Sequence, residues 1–598
     1  MKTFRHFLMT AGLLLLAQCG FKKSKENLTG QILINHLGYD TQGSKRFVFQ
    51  TKESHAPESF SLVDQDGELV FEGTFKNGGP IDQWHTGNGF AGAFSSFNVP
   101  GYYRIELNYL DKSYLSEYFS IAQQQIAQST LSLLIQGIHS QRTSGVYSET
   151  DQEMRFFGDR ADVVDVSGGW YDASGDRSKY LSHLSYANFM NPQQAPMVVW
   201  NFVEAAHRLT NYRSEDAVEM RQKMLGEALH GADWLVKMQD AAGYFYLNVF
   251  DNWSWDPEKR EICAYIGQEG YKNDHYQAGY REGGGMSIAA LARVVGDQLG
   301  GSSASNQYLS AAIKGFEHLE ENNLKYIANG EENIIDDYCA LMAATELFYA
   351  TDDDKYLHAA RKRMHQLTRR LSNDENARGF WLADSATNRP YFHAAEAGLP
   401  IISLVRYLSM ETKQAYRNRA IEAIRAAVDF ELEITGEVNN PFGYARQYVK
   451  ATNEISNRTA FFIPQNNETG YWWQGENARI ASLSAAMRFA LPYLESNKEE
   501  EVLAYATNQI NWILGLNPYD ICMLDGRGRN NPQYAEGDKE MNVTGCVSNG
   551  VTAGFGNESD IAFYPDPYRN DPSHKWRWGE QWLQHGSWLM LAISTSLN

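Results

Sequence analysis

A small all-β sandwich followed by a closed ring of helical hairpins is the fold this sequence predicts, and two changes of pattern predict it. Between Gln31 and Ile121 short apolar runs alternate with polar residues and break at turn signals, as half-buried antiparallel strands require. Beyond Ala122 the apolar spacing lengthens to that of helices, and the intervening loops are rich in Gly, Asn, Asp and Tyr. A chain of 598 residues also exceeds what one hydrophobic core usually supports.

In the first domain the strand runs are QILINHLGY, KRFVFQ, FSLVDQDGELVFEGTF and GYYRIELNYLDKSYLSEYFSI. Asp66-Gly67 marks a hairpin turn and Pro100-Gly101 the opening of another strand. Trp84 and His85 read as loop packing. In the second domain helices are expected to begin near Gln125, Gln194, Glu215, Gly285, Asn306, Asp336, Asp353, His393, Thr412, Gln474, Lys498 and Trp578, with no convincing strand run between them. One is plain in EMRQKMLGEALHGADWLVKMQD, where Leu225, Ala228, Leu229, Ala232, Leu235 and Val236 recur on one face. Twelve such segments make six hairpins. The small-residue-rich members MSIAALARVV and NARIASLSAAMRFA fit the inner ring of an (α/α)6 toroid. Gly283-Gly284-Gly285 lacks a preceding strand and a following Lys-Ser/Thr, so it reads as a tight helix entry and not a phosphate loop.

Composition narrows the function. A net charge of -20 repels nucleic-acid backbones, whereas a neutral polymer is compatible with it. An aromatic share of 13%, with 34 Tyr and 14 Trp, suits carbohydrate subsites as well as a large core. The first residues, MKTFRHFLMTAGLLLLAQC, carry a basic start and an apolar stretch from Phe7 to Ala17, shorter than the ~18 residues of a membrane span. They read as an export signal. Leu16-Ala17-Gln18-Cys19 resembles a bacterial lipoprotein box, with Gln18 in place of the usual small residue and Cys19 as the lipid acceptor. The expected organisation is a signal over 1–19, a tether over 20–30, the sandwich over 31–122 and the helical domain over 123–598. The expected location is the bacterial cell envelope, periplasm or outer membrane, with the membrane reached only through the lipid. Cys263, Cys339, Cys522 and Cys546 are too widely spaced for a CxxC motif and are expected to be free, buried thiols.

The chemistry concentrates in two places. Asp172-Ala173-Ser174-Gly175-Asp176 sets two carboxylates on a glycine-containing turn flanked by Trp170, Tyr171 and Tyr180, and Glu580 lies far along the chain among Trp576, Trp578 and Trp582. Cleavage of a sugar acetal needs such a set: one group protonates the leaving oxygen and another activates water. The plain alternatives are Asp side chains that bind their own loop backbone and a Glu in the first turn of a helix.

At these residues the chain resembles glycoside hydrolase family 9, the inverting cellulase family, in the form with an N-terminal immunoglobulin-like domain. INHLGYDTQGSKRFVF and PGYYRIEL resemble the leading module. GGWYDASGDRSKY, HGADWLVKMQ and INWILGLNPYD resemble motifs of the catalytic domain. The resemblance implies that Asp176 is the general base, that Asp172 helps hold the water and that Glu580 is the proton donor. Three departures stand out. Ser174 is inserted into the family's Asp-Ala-Gly-Asp turn, GRGRNNPQYAEGDKE lacks the usual His-His-Arg element, and Asn-Glu has become Gly579-Glu580.

Inversion requires the two carboxyls to stand about 6.5 to 9.5 Å apart. Asp176 is expected to be ionised, aided by the turn and by Arg177 or Lys179, and Glu580 to be held protonated by its tryptophans. Candidate sugar contacts are Trp170, Tyr171, Tyr276, Arg281, Trp472, Trp473, Glu476, Tyr534 and Trp578, whereas His585 reads as structural. No cofactor or catalytic metal is expected; a structural calcium ion is compatible with the family.

The expected substrate is a β-1,4-linked glucan or its oligosaccharides. Some relatives sharing the DASGD form act on β-linked glucosamine, which makes an exo-β-glucosaminidase for chitosan oligosaccharides the alternative; Glu282, Glu476 or Glu536 would then supply an acidic subsite. A non-catalytic glycan-binding lipoprotein is the alternative of another class.

Overall fold

The computed structural model describes residues 29–597, except 77, 184–192, 213, 268, 328, 469–473, 538 and 567. The export signal, Cys19, Trp472 and Trp473 lie outside the described residues.

Ten strands open the chain: β1 Gly30–Leu33, β2 Tyr39–Asp40, β3 Arg46–Thr51, β4 Ser59–Asp64, β5 Leu69–Thr74, β6 Gly79–Pro80, β7 Asn88–Ala93, β8 Gly101–Tyr109, β9 Lys112–Leu115 and β10 Phe119–Ala122. They form two sheets, β1-β3-β7-β6 and β2-β10-β8-β4-β5, with β9 added to β8. Alternate residues from both sheets, among them Phe47, Phe49, Phe60, Leu62, Phe90, Ile105 and Phe119, close a core of their own. The β4–β5 hairpin turns where the sequence places it, with Gly67 at φ +85°.

Fourteen helices follow among the described residues: α1 Gln125–Ser140, α2 Gly145–Thr150, α3 Pro196–Arg208, α4 Ala217–Lys237, α5 Gly284–Gly296, α6 Gly301–Tyr326, α7 Ile334–Thr351, α8 Asp354–Thr368, α9 Leu399–Leu408, α10 Gln414–Gly436, α11 Asn477–Ala490, α12 Glu499–Ile513, α13 Trp576–Gly579 and α14 Leu583–Ser594. Set aside the two short ones, α2 and α13, and twelve remain, the number expected; the last begins at Leu583 and not near Trp578. Packing runs α14, α3, α5, α7, α9, α11 and back to α14, a closed inner ring, with α1, α4, α6, α8, α10 and α12 outside it. The inner helices α5 and α11 are the small-residue segments, buried almost throughout, since a side chain there meets neighbours on every flank.

The connections sort by length. Those from an inner helix to the next outer one are short, as at 297–300 and 352–353, whereas 141–195, 238–283, 437–476 and 514–582 all lead into the N-terminal ends of inner helices. The long loops therefore gather at one end of the toroid, and both halves of the expected site belong to them. They are not free of strands, contrary to expectation. β11 Lys179–Tyr180, β12 Phe245–Tyr246, β13 Asn248–Phe250, β14 Glu261–Ile266 and β15 Tyr271–Asn273 lie here, and all but β12 form a sheet in the order β11-β13-β14-β15. Most of these runs are too short to show an alternating period, and β11 joins the sheet only by pairing with β13, some seventy residues further along the chain.

The sandwich is fastened to the toroid. Trp84 is buried against Phe461 and Trp512, Asn35 Nδ2 donates to Asn511 Oδ1 at 2.8 Å, and His36 Nε2 meets Asp520 Oδ1 at 2.9 Å. Cys263, Cys339, Cys522 and Cys546 are free and buried. No helix of the described residues is long and apolar enough to cross a membrane.

Candidate active site

The two halves of the expected site are stitched together by backbone. Ser174 N donates to Gln581 O at 3.0 Å, Leu583 N donates to Asp172 O at 2.9 Å, and Ala173 pairs antiparallel with Trp582. The inserted Ser174 takes part directly, its Oγ accepting the Gln581 N–H at 3.2 Å. On the far side Asn549 N donates to Glu580 O at 2.8 Å. Glu580 is the residue that ends α13, with an extended backbone, and α14 starts only at Leu583. A carboxylate in a helical first turn is thereby excluded.

A cavity of about 240 Å³ opens between these segments, lined by Asp172, Ala173, Gly175, Asp176, His183, Trp253, Tyr534, Glu536, Trp576, Glu580 and Trp582. All three carboxylates singled out by the sequence thus face one hollow. Asp176 Oδ1 accepts the Ser178 N–H at 2.8 Å and Oδ2 the Tyr180 hydroxyl at 2.7 Å, so the loop-binding habit of Asp and a place in the site coexist in one side chain. His183 Nδ1 bonds Asp172 Oδ2 at 3.0 Å, and its ring stacks on Trp582 at 4.8 Å. The Trp582 indole in turn donates to Glu580 Oε2 at 2.9 Å.

Burial governs the acidities. It pushes Asp176 up to about 6, reinforced by the charges of Asp172 and Asp251 and opposed by the Ser178 and Tyr180 bonds. Burial also drives Glu580 well above the ordinary carboxylate range, with the charge of Asp176 next in weight and the Trp582 N–H opposing. The expected help to Asp176 from Arg177 and Lys179 is absent: Arg177 lies over the Tyr171 and Trp255 rings, each at 5.0 Å, and Lys179 pairs with buried Asp151 at 2.6 Å. Two carboxyls thus share one hollow, the stronger acid at the turn and the weaker at the tryptophans, an asymmetry suited to acid–base work.

Of the expected sugar contacts, Tyr534 reaches the cavity, its hydroxyl donating to Glu536 Oε1 at 2.7 Å. Most others are turned inward, because a buried polar group must find an internal partner. Trp170 points to Glu227 and Trp234, Tyr276 packs on Phe156, and Trp578 donates to Thr552 Oγ1 at 3.1 Å. Arg281 pairs with Asp336 at 2.7 Å, and Glu476 with Arg479 at 2.7 Å and Gln447 at 2.8 Å. Tyr171 lines a neighbouring hollow beside Arg177. Trp170, Tyr276, Arg281, Glu476 and Trp578 are thereby corrected from sugar contacts to packing and framework, while Tyr171 lies outside the carboxylate cavity. His585 is framework as expected: Nδ1 accepts the Ala478 N–H at 2.9 Å, and burial lowers it to about 3. The cavity instead uses His183, Trp253, Trp576 and Trp582. His183 carried a signal in lying seven residues past Asp176; Trp253 carried none, since its loop is far off in sequence.

Gly175 is the glycine whose side-chain space belongs to the site itself. A Cβ there would stand 2.7 Å from the Tyr534 hydroxyl and 2.8 Å from Glu580 Oε1. Both are side-chain ends that can swing, so Gly175→Ala is expected to keep the fold, with melting temperature nearly unchanged, while kcat/KM falls about 10- to 100-fold as the acid is displaced.

A helical toroid carrying this pair of unequal carboxyls at its loop end defines a glycoside hydrolase. Residues 134–538 match Glycosyl hydrolase family 9 and residues 28–112 match the Cellulase N-terminal ig-like domain. The chain belongs to glycosyl hydrolase family 9 and is a hydrolase of the cellulase type. Its fold is similar to that of a Bacteroides ovatus GH9 structure, at 18% identity over 95% of this chain and 98% of that one, with a TM-score of 0.63. A metagenome-derived glycoside hydrolase family 9 endoglucanase is similar at 18% identity over 94% and 98%, with a TM-score of 0.64. GH family 9 endoglucanase J30 is similar at 18% over 93% and 99%, with a TM-score of 0.61. No curated protein sequence matches the chain.

Proposed function

We propose that the enzyme hydrolyses β-1,4-linked glucan oligosaccharides by a single displacement that inverts the anomeric centre. The observation that carries this is the shared hollow of Asp176 and Glu580 with their unequal acidities. Asp176 takes a proton from water as that water attacks the anomeric carbon. Glu580 gives its proton to the departing oxygen, and Asp172, oriented by His183, helps hold the water. The tryptophans supply apolar faces for the sugar.

A second reading, exo-cleavage of β-linked glucosamine, draws on one feature of the cavity. Asp172, Asp176, Glu536 and Glu580 line it, and no Lys or Arg does so among the described residues. An ammonium-bearing sugar would be attracted there. The test is reducing-sugar release from cello- and chitosan oligosaccharides by wild type, Asp176→Asn and Glu580→Gln. Release by wild type alone is expected; equal release by all three would refute the mechanism, and binding without release by any would favour a glycan-binding lipoprotein. Preference for the chitosan series, lost with added salt, would select the second reading.

Export and lipidation at Cys19 belong to the same proposal. Lipid labelling of the full chain in a bacterial host is expected, with loss of the label in Cys19→Ala.

A further inference from the structure

The loop that follows β13 is bent in a way that ordinary packing does not ask for. Asn252, Trp253 and Trp255 have φ of 59°, 52° and 57°. Asn adopts the left-handed region readily, but a bulky indole does so rarely and at a cost, and two in three residues need something to hold them. The structure shows the restraints. Asn252 Nδ2 donates to Gly270 O at 3.0 Å, Ser254 Oγ donates to Asp251 O at 2.6 Å, and the Tyr147 hydroxyl donates to Trp255 O at 2.8 Å. Buried Asp251 accepts from Ser178 Oγ at 2.9 Å, which ties the start of the loop to the residue whose N–H holds Asp176.

The two indoles face different tasks. Trp253 is 37% exposed and lines the catalytic cavity, braced by Phe250 at 4.9 Å and Tyr265 at 5.5 Å, both rings nearly perpendicular to it. Gly270 lies beneath it, where a Cβ would stand 2.9 Å from its Cζ3. Trp255 turns away from the sugar space, and its Nε1–H donates to Gly175 O at 3.0 Å. Its ring is flanked by Arg177 at 5.0 Å and Lys539 at 5.1 Å. Gly175 lies within the Asp172–Asp176 turn, next to Asp176 and facing the Glu580 carboxyl.

We propose that Trp253 binds the sugar through its face and that Trp255 is a positioning residue for the Asp172–Asp176 turn, the strained loop linking sugar binding to placement of the base. This rests on the glycosidase reading above. A sugar pressing on Trp253 pushes on a backbone whose next indole grips the turn, so binding in the right register sets the carboxylate. No group is transferred through the loop.

The experiment uses full-length protein and whichever of cellotetraose or the β-1,4 glucosamine tetramer the wild type cleaves faster. Trp255→Phe removes the indole N–H and keeps an aromatic ring. It is expected to lower kcat about 10-fold with KM within about twofold, and to shift the acidic limb of the kcat/KM profile, which a merely structural role would not move. Trp253→Phe is expected to raise KM about 10-fold with kcat within about threefold. In the Glu580→Gln background the oligosaccharide is expected to shift the tryptophan emission, and most of that shift should vanish when Trp253→Phe is added. This arm needs a folded protein but no turnover. Folded variants with wild-type kcat, KM and emission shift would overturn the inference. Absence of hydrolysis by the wild type would instead fall on the parent reading, while the emission arm still tests Trp253.

Discussion

Glu580→Gln is expected to lower kcat on unactivated oligosaccharides by about 10²- to 10⁴-fold, the range in which loss of a general acid falls. The loss should shrink sharply with an aryl glycoside whose leaving group needs no proton, because only proton donation has been removed. The same side chain is expected to set the high-pH limb of activity. Burial and the charge of Asp176 hold Glu580 well above the ordinary carboxylate range, so the wild type keeps its acid protonated far past the pH at which an exposed Glu ionises. Activity falls as pH rises through that raised value, and the limb is absent in the Gln variant. Parallel pH profiles of kcat/KM check both points.

Asp176→Asn is expected to abolish turnover to a similar degree and yet to make the protein more stable at neutral pH. The fold raises the affinity of Asp176 for its proton from 3.8 to about 6. Between those values the native chain binds more protons than the unfolded one, so stability falls as pH rises through the window. The cost is absent below about pH 4 and fully developed above about 6, where it amounts to ~3 kcal/mol. Asparagine carries no charge to bury, though its amide cannot accept both the Ser178 and Tyr180 bonds, which offsets part of the gain. Melting temperatures of variant and wild type should therefore separate at pH 7.5 and converge near pH 4. In the wild type, the acidic limb of kcat/KM should lie near 6, where the base loses its charge.

The helices and the three carboxylates were legible in the sequence for physical reasons. Helical spacing persists over α4 or α11 for several turns, and the small residues of α5 and α11 marked the inner ring because only close-packed neighbours demand them. The sugar contacts were much less legible. Arg281, Glu476 and Trp578 have the residue types of a binding site, but whether such a group faces a ligand or an internal partner depends on segments distant in the chain, here Asp336, Arg479 and Thr552. Trp253 faces the cavity for equally non-local reasons. The role of Ser174 was hidden for the same cause. In the sequence it stands only as an insertion into the turn, whereas in the fold it is a clamp on the segment that follows Glu580. Short pairings such as β11 with β13 leave no periodic trace at all.

The measurement that bears most directly on the mechanism is the configuration of the newly released sugar, followed by proton NMR in the first minutes of hydrolysis, before mutarotation equalises the anomers. Water activated by Asp176 and a leaving group protonated by Glu580 across one cavity predict that a β-linked substrate first yields the α-anomer. First release of the β-anomer would mean that a carboxylate attacks the sugar itself, and would contradict the account.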